Sequence, residues 1–144
     1  MTILSDVEIE HRLNEKSLVL DPFSADSLSG AGYDLRIGVD ASVQPGKHQL
    51  VVTLEKVELP EDLAGILHVR SSLARAGIVA SLALVDPGFR GQLTISLFNS
   101  SEELLELKRG ERFLQMSLLS LGMKSHRPYR GRYQDSQGIV ERRL

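Results

Sequence analysis

The stretch Gln92-Leu93-Thr94-Ile95-Ser96-Leu97 alternates apolar and polar side chains, as a β-strand with one buried face does. Leu93, Ile95 and Leu97 would face the core, and the polar residues between them would face outward. Short apolar runs separated by turn residues continue the pattern and predict further strands at 48–54, 64–69, 78–85 and 112–121. Many short strands joined by regular turns are typical of a β-sandwich or closed β-barrel. We therefore expect an all-β domain.

Two short helices are expected among these strands. Ser5-Asp6-Val7-Glu8 fits a capping box, and Ile9 and Leu13 follow four residues apart, which predicts a helix over 5–14. A second short helix is predicted over 71–76, where two serines would cap the first turn.

Composition narrows the range of functions. The 144 residues suit a single domain, and a formal net charge of −2 provides no field that would attract a nucleic-acid partner. The absence of cysteine excludes disulfides, thiol nucleophiles and Cys-ligated zinc. A metal site that folding assembles from histidines and carboxylates stays open. Without a signal pattern or an apolar run of membrane-spanning length, we expect a cytoplasmic protein with no membrane partner.

A cluster of serines and arginines, Arg70-Ser71-Ser72-Leu73-Ala74-Arg75, follows the predicted strand 64–69. Hydroxyl and backbone N–H groups at the start of a helix suit phosphate oxygens, and arginines add paired donors. An ordinary helix cap with two surface arginines would have the same residues.

Two further motifs admit a structural and a functional interpretation. In Val85-Asp86-Pro87-Gly88-Phe89-Arg90-Gly91, Asp86 would orient a water molecule and Phe89 would pack on a ring, or the segment is only a turn. Gln115 interrupts an apolar strand, where its amide would bind either a phosphate or another polar group of the core.

The tail, residues 125–144, is basic, contains glycine and tyrosine, and has few core-forming side chains. It would be disordered, or would order on a ligand or on a neighbouring subunit. Its residues 129–138 suit a flexible phosphate clamp, although a solvated tail would have the same composition.

The order of these motifs resembles the superfamily of dUTPases and dCTP deaminases. Ala31-Gly32-Tyr33-Asp34-Leu35 precedes them, and the match then runs to about residue 138 and meets all five motif regions. The first motif is typical of the dUTPase branch. The segments 70–75, 86–89 and 132–138 are more similar to the dCTP deaminase branch.

The resemblance implies a distorted, jelly-roll-like β-barrel that forms a homotrimer with active sites at subunit interfaces. It implies a deoxynucleoside triphosphate substrate, dUTP or dCTP, with Mg²⁺ held through the phosphates and no metal bound directly by the protein. Asp86, Arg75 and Ser71 are the implied catalytic residues, and Phe89 would pack on the deoxyribose. The tail would close over the nucleotide. The implied phosphate-binding residues are Arg70, Ser71, Ser72, Gln115, Tyr129, Arg132 and Gln137.

One departure from the family pattern bears on the reaction. Deaminases of this family carry a proton-shuttling glutamate ten residues after the aspartate that matches Asp86, and Ser96 stands there in this chain. No histidine or acid in the surrounding strand replaces it, and loss of such a group typically costs about 10²–10⁴ in rate. We therefore expect a dUTP diphosphatase that forms dUMP and pyrophosphate. The alternatives are a dCTP deaminase, monofunctional or bifunctional, and a nucleotide-binding regulator without turnover.

Overall fold

The structure, a computed structural model, describes residues 2–144, and two helices and a 3₁₀ turn accompany its strands. The helices are α1 (Asp6–Asn14) and α2 (Ser71–Arg75), and the 3₁₀ turn is Ala25–Ser27. The strands are β1 (Val19–Asp21), β2 (Leu28–Ser29), β3 (Gly32–Arg36), β4 (Ala41–Val43), β5 (His48–Val52), β6 (Lys56–Glu58), β7 (Leu63–Val69), β8 (Ile78–Ser81), β9 (Arg90–Gly91), β10 (Thr94–Asn99), β11 (Leu105–Leu107) and β12 (Arg112–Ser120). No helix within residues 2–144 is long and apolar enough to cross a membrane.

Antiparallel pairing organises all of these strands. Across residues 2–144 they form sheets in the orders β1-β6-β9, β5-β10-β8, β11-β4 and β2-β3-β12-β7. The expected all-β class with short helices is therefore confirmed.

Strand β10 shows the alternation that its sequence predicts. Ile95 and Leu97 are buried in the core, and Ser96 lies on the outer face. The strand begins two residues later than expected, because Gln92 N donates to Ser136 O at 2.9 Å. The tail therefore takes up the hydrogen-bonding position that a neighbouring strand would occupy.

Helix α1 begins as its capping box predicts. Ser5 Oγ accepts a hydrogen bond from Glu8 N, and the Glu8 side chain accepts one from Ser5 N at 2.8 Å. The expected serine cap of α2 is wrong, because Arg70 occupies the N-cap position and makes no side-chain cap hydrogen bond. The predicted strand 78–85 also ends early, at Ser81, and only Val85 pairs again, with Gly65.

Strand β7 separates two regions that matter for function. Near its start, Gly65 and Val85 exchange two backbone hydrogen bonds of 2.9 Å, which places Asp86 at that end. Arg70 follows the last residue of the strand at the other end. At about 3.3 Å per residue, Gly65 and Arg70 lie roughly 16 Å apart.

A buried carboxylate fixes strand β3, which carries the first family motif. Glu55 is fully buried and accepts hydrogen bonds from Arg36 Nε at 2.7 Å and from Arg36 N at 2.9 Å. The Tyr33 hydroxyl donates to the same carboxylate at 3.3 Å, and burial raises the pKa of Tyr33. The pairing compensates the buried charge and ties β3 to the segment that carries Glu55.

Candidate functional site

Most of the predicted site residues lie in two separate groups within one chain. The first group, which we call the arginine cluster, lies on the outer face of β3, β12 and β7 and on α2. The second surrounds a cavity next to Asp86, which we call the Asp86 cavity. The arginine cluster comprises Asp34, Arg70, Ser71, Ser72, Arg112 and Gln115.

Strand register assembles the arginine cluster. Gln115 on β12 lies directly opposite Asp34 on β3 and His68 on β7. Arg70 is two residues beyond His68 and therefore projects from the same face. The Arg70 Nε atom lies 3.2 Å from Asp34 Oδ2, so the first family motif contacts the second directly. Gln115 is half-buried and donates to Ser29 Oγ at 3.3 Å.

The two serine hydroxyls and the arginine of α2 are free to contact a ligand. Ser71, Ser72 and Arg75 are exposed. Their side chains make no hydrogen bond or ion pair with any other of the residues 2–144. Their donors therefore need no internal bond to be broken before they meet an anion.

The Asp86 cavity has a volume of about 380 Å³, within the range of small-molecule sites. Asp86 is half-buried, and its carboxylate makes no hydrogen bond or ion pair within residues 2–144. It is also the only acid among the described residues that line the cavity. The remaining lining residues are Ala83, Leu84, Val85, Phe89, Gln92, Leu93, Thr94, Tyr129, Tyr133, Ser136 and Val140.

An aromatic pair forms one wall of this cavity. Phe89 is buried, and the edge of one ring meets the face of the other between Phe89 and Tyr129, with centroids 5.5 Å apart. Gly88 permits the close approach of the tail, because a Cβ atom there would lie 2.6 Å from Pro128 Cβ. Phe89 is therefore held firmly at a position that a sugar or a base could contact.

The tail lies on its own chain. Asp135 forms a two-pronged ion pair with Arg90, with both contacts at 2.9 Å, and this arginine lowers the pKa of Asp135. Gly138 N donates to Gln92 Oε1 at 2.7 Å and Val140 N to Thr94 Oγ1 at 2.9 Å. The expected closure of the tail over a bound nucleotide stays a prediction.

Two of the tail residues predicted to bind phosphate lie outside both groups in this conformation. Arg132 Nη1 donates to Arg143 O at 3.0 Å. Gln137 is exposed and borders a small surface depression together with Lys56 and Asp135. Tyr129, in contrast, lines the Asp86 cavity.

Ser96 has a histidine next to it, although its own strand carries no base. His48 on the neighbouring strand β5 places Nδ1 3.1 Å from Ser96 Oγ. His48 lies on a different strand from Ser96 and is distant from it in sequence. The contact between His48 and Ser96 follows from the pairing of 48–52 with 94–98. The sequence pattern does not specify this pairing.

The carboxylates and histidines do not gather around a resident metal. Among the described residues, no three His, Asp or Glu side chains are close enough together to hold an ion. Mg²⁺ typically keeps water and substrate phosphates as ligands and takes only one or two carboxylates. A Mg²⁺ ion held through the phosphates of a bound nucleotide would need no such cluster of protein ligands.

The sequence is similar to proteins of nucleotide metabolism. It is 47% identical over 141 residues to a dCTP deaminase of Thermococcus gammatolerans, covering 88% of this chain and 90% of that protein. It is 36% identical over 153 residues to a probable deoxyuridine 5'-triphosphate nucleotidohydrolase of Sulfolobus islandicus rod-shaped virus 1, with 96% of each chain covered.

Solved structures share the fold at low sequence identity. The Agrobacterium tumefaciens dCTP deaminase superposes with a TM-score of 0.72 at 19% identity, covering 83% of this chain and 49% of that one. An EIAV dUTPase superposes with a TM-score of 0.61 at 21% identity, covering 81% and 97%. The family model described as dCTP deaminase-like matches residues 39–121, more than half of the sequence. The chain therefore belongs to the dCTP deaminase-like family.

Proposed function

We propose that this protein is a dUTP diphosphatase that hydrolyses dUTP to dUMP and pyrophosphate. The observation that carries the proposal is Asp86, a half-buried carboxylate. Among residues 2–144 its carboxylate has no hydrogen-bond or ion-pair partner, and it is the only acid of those residues that lines the cavity. A carboxylate in this situation has its oxygens available to accept a hydrogen bond from a water molecule. Deamination would need a second proton-transferring group at the base, and Ser96 occupies the position of the family's glutamate.

The reaction needs little more than positioning and positive charge. A water oriented by Asp86 would attack the α-phosphorus, the bond from that phosphorus to the bridging oxygen would break, and pyrophosphate would leave. Arg70 and Arg75 would stabilise the negative charge on the leaving group, and the hydroxyls of Ser71 and Ser72 would donate to its oxygens. Gln115 would contribute an amide donor from the same face.

The cavity would hold the nucleoside. Its mostly apolar lining suits a pyrimidine and a deoxyribose, and the packed Phe89 ring would contact the sugar where a ribonucleotide carries a 2′-hydroxyl. Mg²⁺ bound to the triphosphate would supply further positive charge at the reacting phosphate.

A complete site requires two copies of the chain. Asp86 and Arg70 lie near opposite ends of β7: Gly65, which pairs with the residue before Asp86, and Arg70 are roughly 16 Å apart along the strand. Three linked phosphates are much shorter than this. Asp86 of one subunit would therefore meet the arginine cluster of a neighbour. This requirement fits the predicted homotrimer, in which each interface would form one site.

Deamination of dCTP is the second candidate. The names of the most similar relatives favour it, since proteins 43–47% identical to this chain are named dCTP deaminase. The contact between His48 Nδ1 and Ser96 Oγ also favours it, because an imidazole next to the hydroxyl could accept and return a proton. This candidate requires that the pair replaces the glutamate in function.

Product analysis separates the candidates. The purified protein would be incubated with Mg²⁺ and, in separate reactions, dUTP, dCTP and dTTP, and the products resolved by anion exchange. We expect dUMP from dUTP only, with a loss of at least about 100-fold in Asp86→Asn. Glu102→Gln, which alters an exposed acid outside both groups, is the matched control and should retain full activity.

The dCTP reaction decides against the proposal if it yields dUTP or dUMP at a substantial rate. His48→Gln and Ser96→Ala then test the second candidate, because both should abolish deamination while leaving nucleotide binding intact. The regulator alternative predicts that the triphosphates bind and that no product forms.

A further inference from the structure

The side chain of Gln92 joins the barrel to the tail. Gln92 is half-buried, and its Nε2 atom donates to Thr53 O at 2.9 Å and to Leu54 O at 3.4 Å. Its Oε1 atom accepts from Gly138 N at 2.7 Å. Only this orientation of the amide places its nitrogen against the two carbonyl oxygens and its oxygen against the N–H group, so the side chain has a single satisfied arrangement.

The barrel side of this connection is firmly held. Thr53 is fully buried, and its hydroxyl donates to Glu55 O at 2.9 Å and accepts from Leu93 N at 3.0 Å. The carbonyl group that receives the Gln92 amide therefore belongs to a residue whose own position is fixed by the core. Gln92 transmits that fixed position to whatever its oxygen binds.

The tail side of the connection lies next to the cavity. Gln92 also donates its backbone N–H to Ser136 O at 2.9 Å, so one residue holds the tail at two points. Ser136 and Val140, two residues on either side of Gly138, both line the Asp86 cavity. The position that Gln92 imposes on Gly138 therefore sets the position of two residues that line the cavity.

We propose that Gln92 is a positioning residue, which sets the affinity for nucleotide by holding the tail against the Asp86 cavity. Both of its amide hydrogens are committed to carbonyl oxygens, so its side chain has no donor left for a ligand. The cavity keeps about 380 Å³ with the tail docked, and this volume suits a small molecule. The inference deepens the proposed function and rests on it in one respect, namely that the cavity holds a nucleotide.

The tail should act on binding rather than on the reacting water. Within residues 2–144 the Asp86 carboxylate makes no hydrogen bond with the tail, whose contacts run to Gln92 and Thr94 instead. Release of the tail would therefore remove part of the cavity wall and leave Asp86 in place. We expect the KM for dUTP to rise and kcat to stay nearly constant.

Gln92→Glu tests this role with a side chain of the same shape. It replaces the amide nitrogen by an oxygen, which would then face the carbonyl oxygens of Thr53 and Leu54. We expect the side chain to leave this position and the Gly138 amide to exchange with solvent about fivefold faster or more, as the loss of one hydrogen bond predicts. The KM for dUTP should rise by a similar factor, with kcat within about twofold of wild type. Gln92→Met adds no charge and should give the same effects, so a folding defect caused by the added carboxylate would not decide the test.

Gln49→Glu is the matched control. Gln49 is also half-buried, its Oε1 atom accepts from Ser42 N at 3.3 Å, and it does not line the Asp86 cavity. We expect it to change neither the exchange of the Gly138 amide nor the KM. Equal KM values in Gln92→Glu and Gln49→Glu would overturn the proposal, even if the Gly138 amide exchanges faster. A fall in kcat at constant KM in Gln92→Glu would overturn it as well, because Gln92 would then act on the reaction itself.

Failure of this inference is distinguishable from failure of the proposed function. A protein that hydrolyses dUTP with the same KM in wild type and Gln92→Glu would retain the function and lose the inference. If dUTP is left unchanged, its affinity for the full-length protein would be measured by titration calorimetry. Weaker binding in Gln92→Glu and unchanged binding in Gln49→Glu would then retain the positioning role and lose the diphosphatase.

Discussion

At Gly91 the tail packs directly against the barrel, and this contact offers a direct test of the docked tail. Its φ is +142°, and an added Cβ would lie 2.9 Å from Ser136 N and 3.0 Å from Ser136 O. Both atoms belong to the backbone, so no side-chain rotation relieves the contact. We expect Gly91→Ala to push the tail away from the cavity.

The expected size of the effect follows from the hydrogen bonds at that point. Asp135 N donates to Arg90 O at 2.8 Å and Gln92 N to Ser136 O at 2.9 Å, on either side of Gly91. Each such bond contributes about 1 kcal/mol, so their loss destabilises the docked tail by about 2 kcal/mol. This corresponds to a change of about 30-fold in the ratio of docked to released tail.

Hydrogen exchange measures this ratio at the amides of Gly138 and Val140, which donate to the side chains of Gln92 and Thr94. We expect these amides to exchange about 30-fold faster in Gly91→Ala than in the wild type. Gly46→Ala is the matched control, because Gly46 has a φ of +71° with no atom within 4 Å of an added Cβ. Its φ lies in the left-handed region, where a side chain costs about 1 kcal/mol or more, and Gly46 does not touch the tail. Equal exchange in the two variants would refute the reasoning.

Three further predictions concern stability and are measured by chemical denaturation. Glu55→Gln should lower the free energy of unfolding by about 3 kcal/mol, because the guanidinium partner of this fully buried acid loses its counter-charge. Arg12 lowers the pKa of Asp62, so the ion pair stabilises the fold above about pH 4 and is lost as the pH falls through the folded-state pKa. Asp62→Asn should therefore be about 1 kcal/mol less stable than wild type at pH 7 and equally stable near pH 2; a difference independent of pH would contradict this. Phe89→Ala should lower the free energy of unfolding by about 3 kcal/mol, because Phe89 is buried. Phe98 is half-exposed, and Phe98→Ala should lower the free energy of unfolding by less than about 1 kcal/mol. Equal losses would mean that Phe89 is not a packed wall of the cavity.

The sequence predicts elements whose signal is local. The alternation of 92–97 gives the buried face of β10, and the Ser5 and Glu8 pair gives the start of α1, because both signals depend on neighbouring residues. Strands of two or three residues, such as β2, β9 and β11, are too short to show a period and were not predicted. The end of β8 at Ser81 was also missed, since its apolar sequence continues to Val85.

The candidate site also contains residues that local sequence predicts and contacts that it does not predict. Asp86, Phe89 and Arg70 were predicted through motifs that are contiguous in sequence. The contact between His48 and Ser96 depends on pairing across 48 residues, which no local pattern specifies. The docked tail escaped prediction because many of its contacts use backbone groups, and its sequence has no apolar period.

Complementation between two inactive variants tests most directly whether a dUTP-hydrolysing site is shared between subunits. Asp86→Asn and Arg70→Gln chains would each be assayed alone for pyrophosphate release from dUTP, then refolded together and assayed again. We predict that each variant alone is nearly inactive and that random mixed trimers recover about a quarter of the wild-type rate, because that share of interfaces combines an intact Asp86 with an intact Arg70. Recovery of no activity in mixed trimers, from variants that are each folded and inactive, would contradict a site built from two copies of the chain.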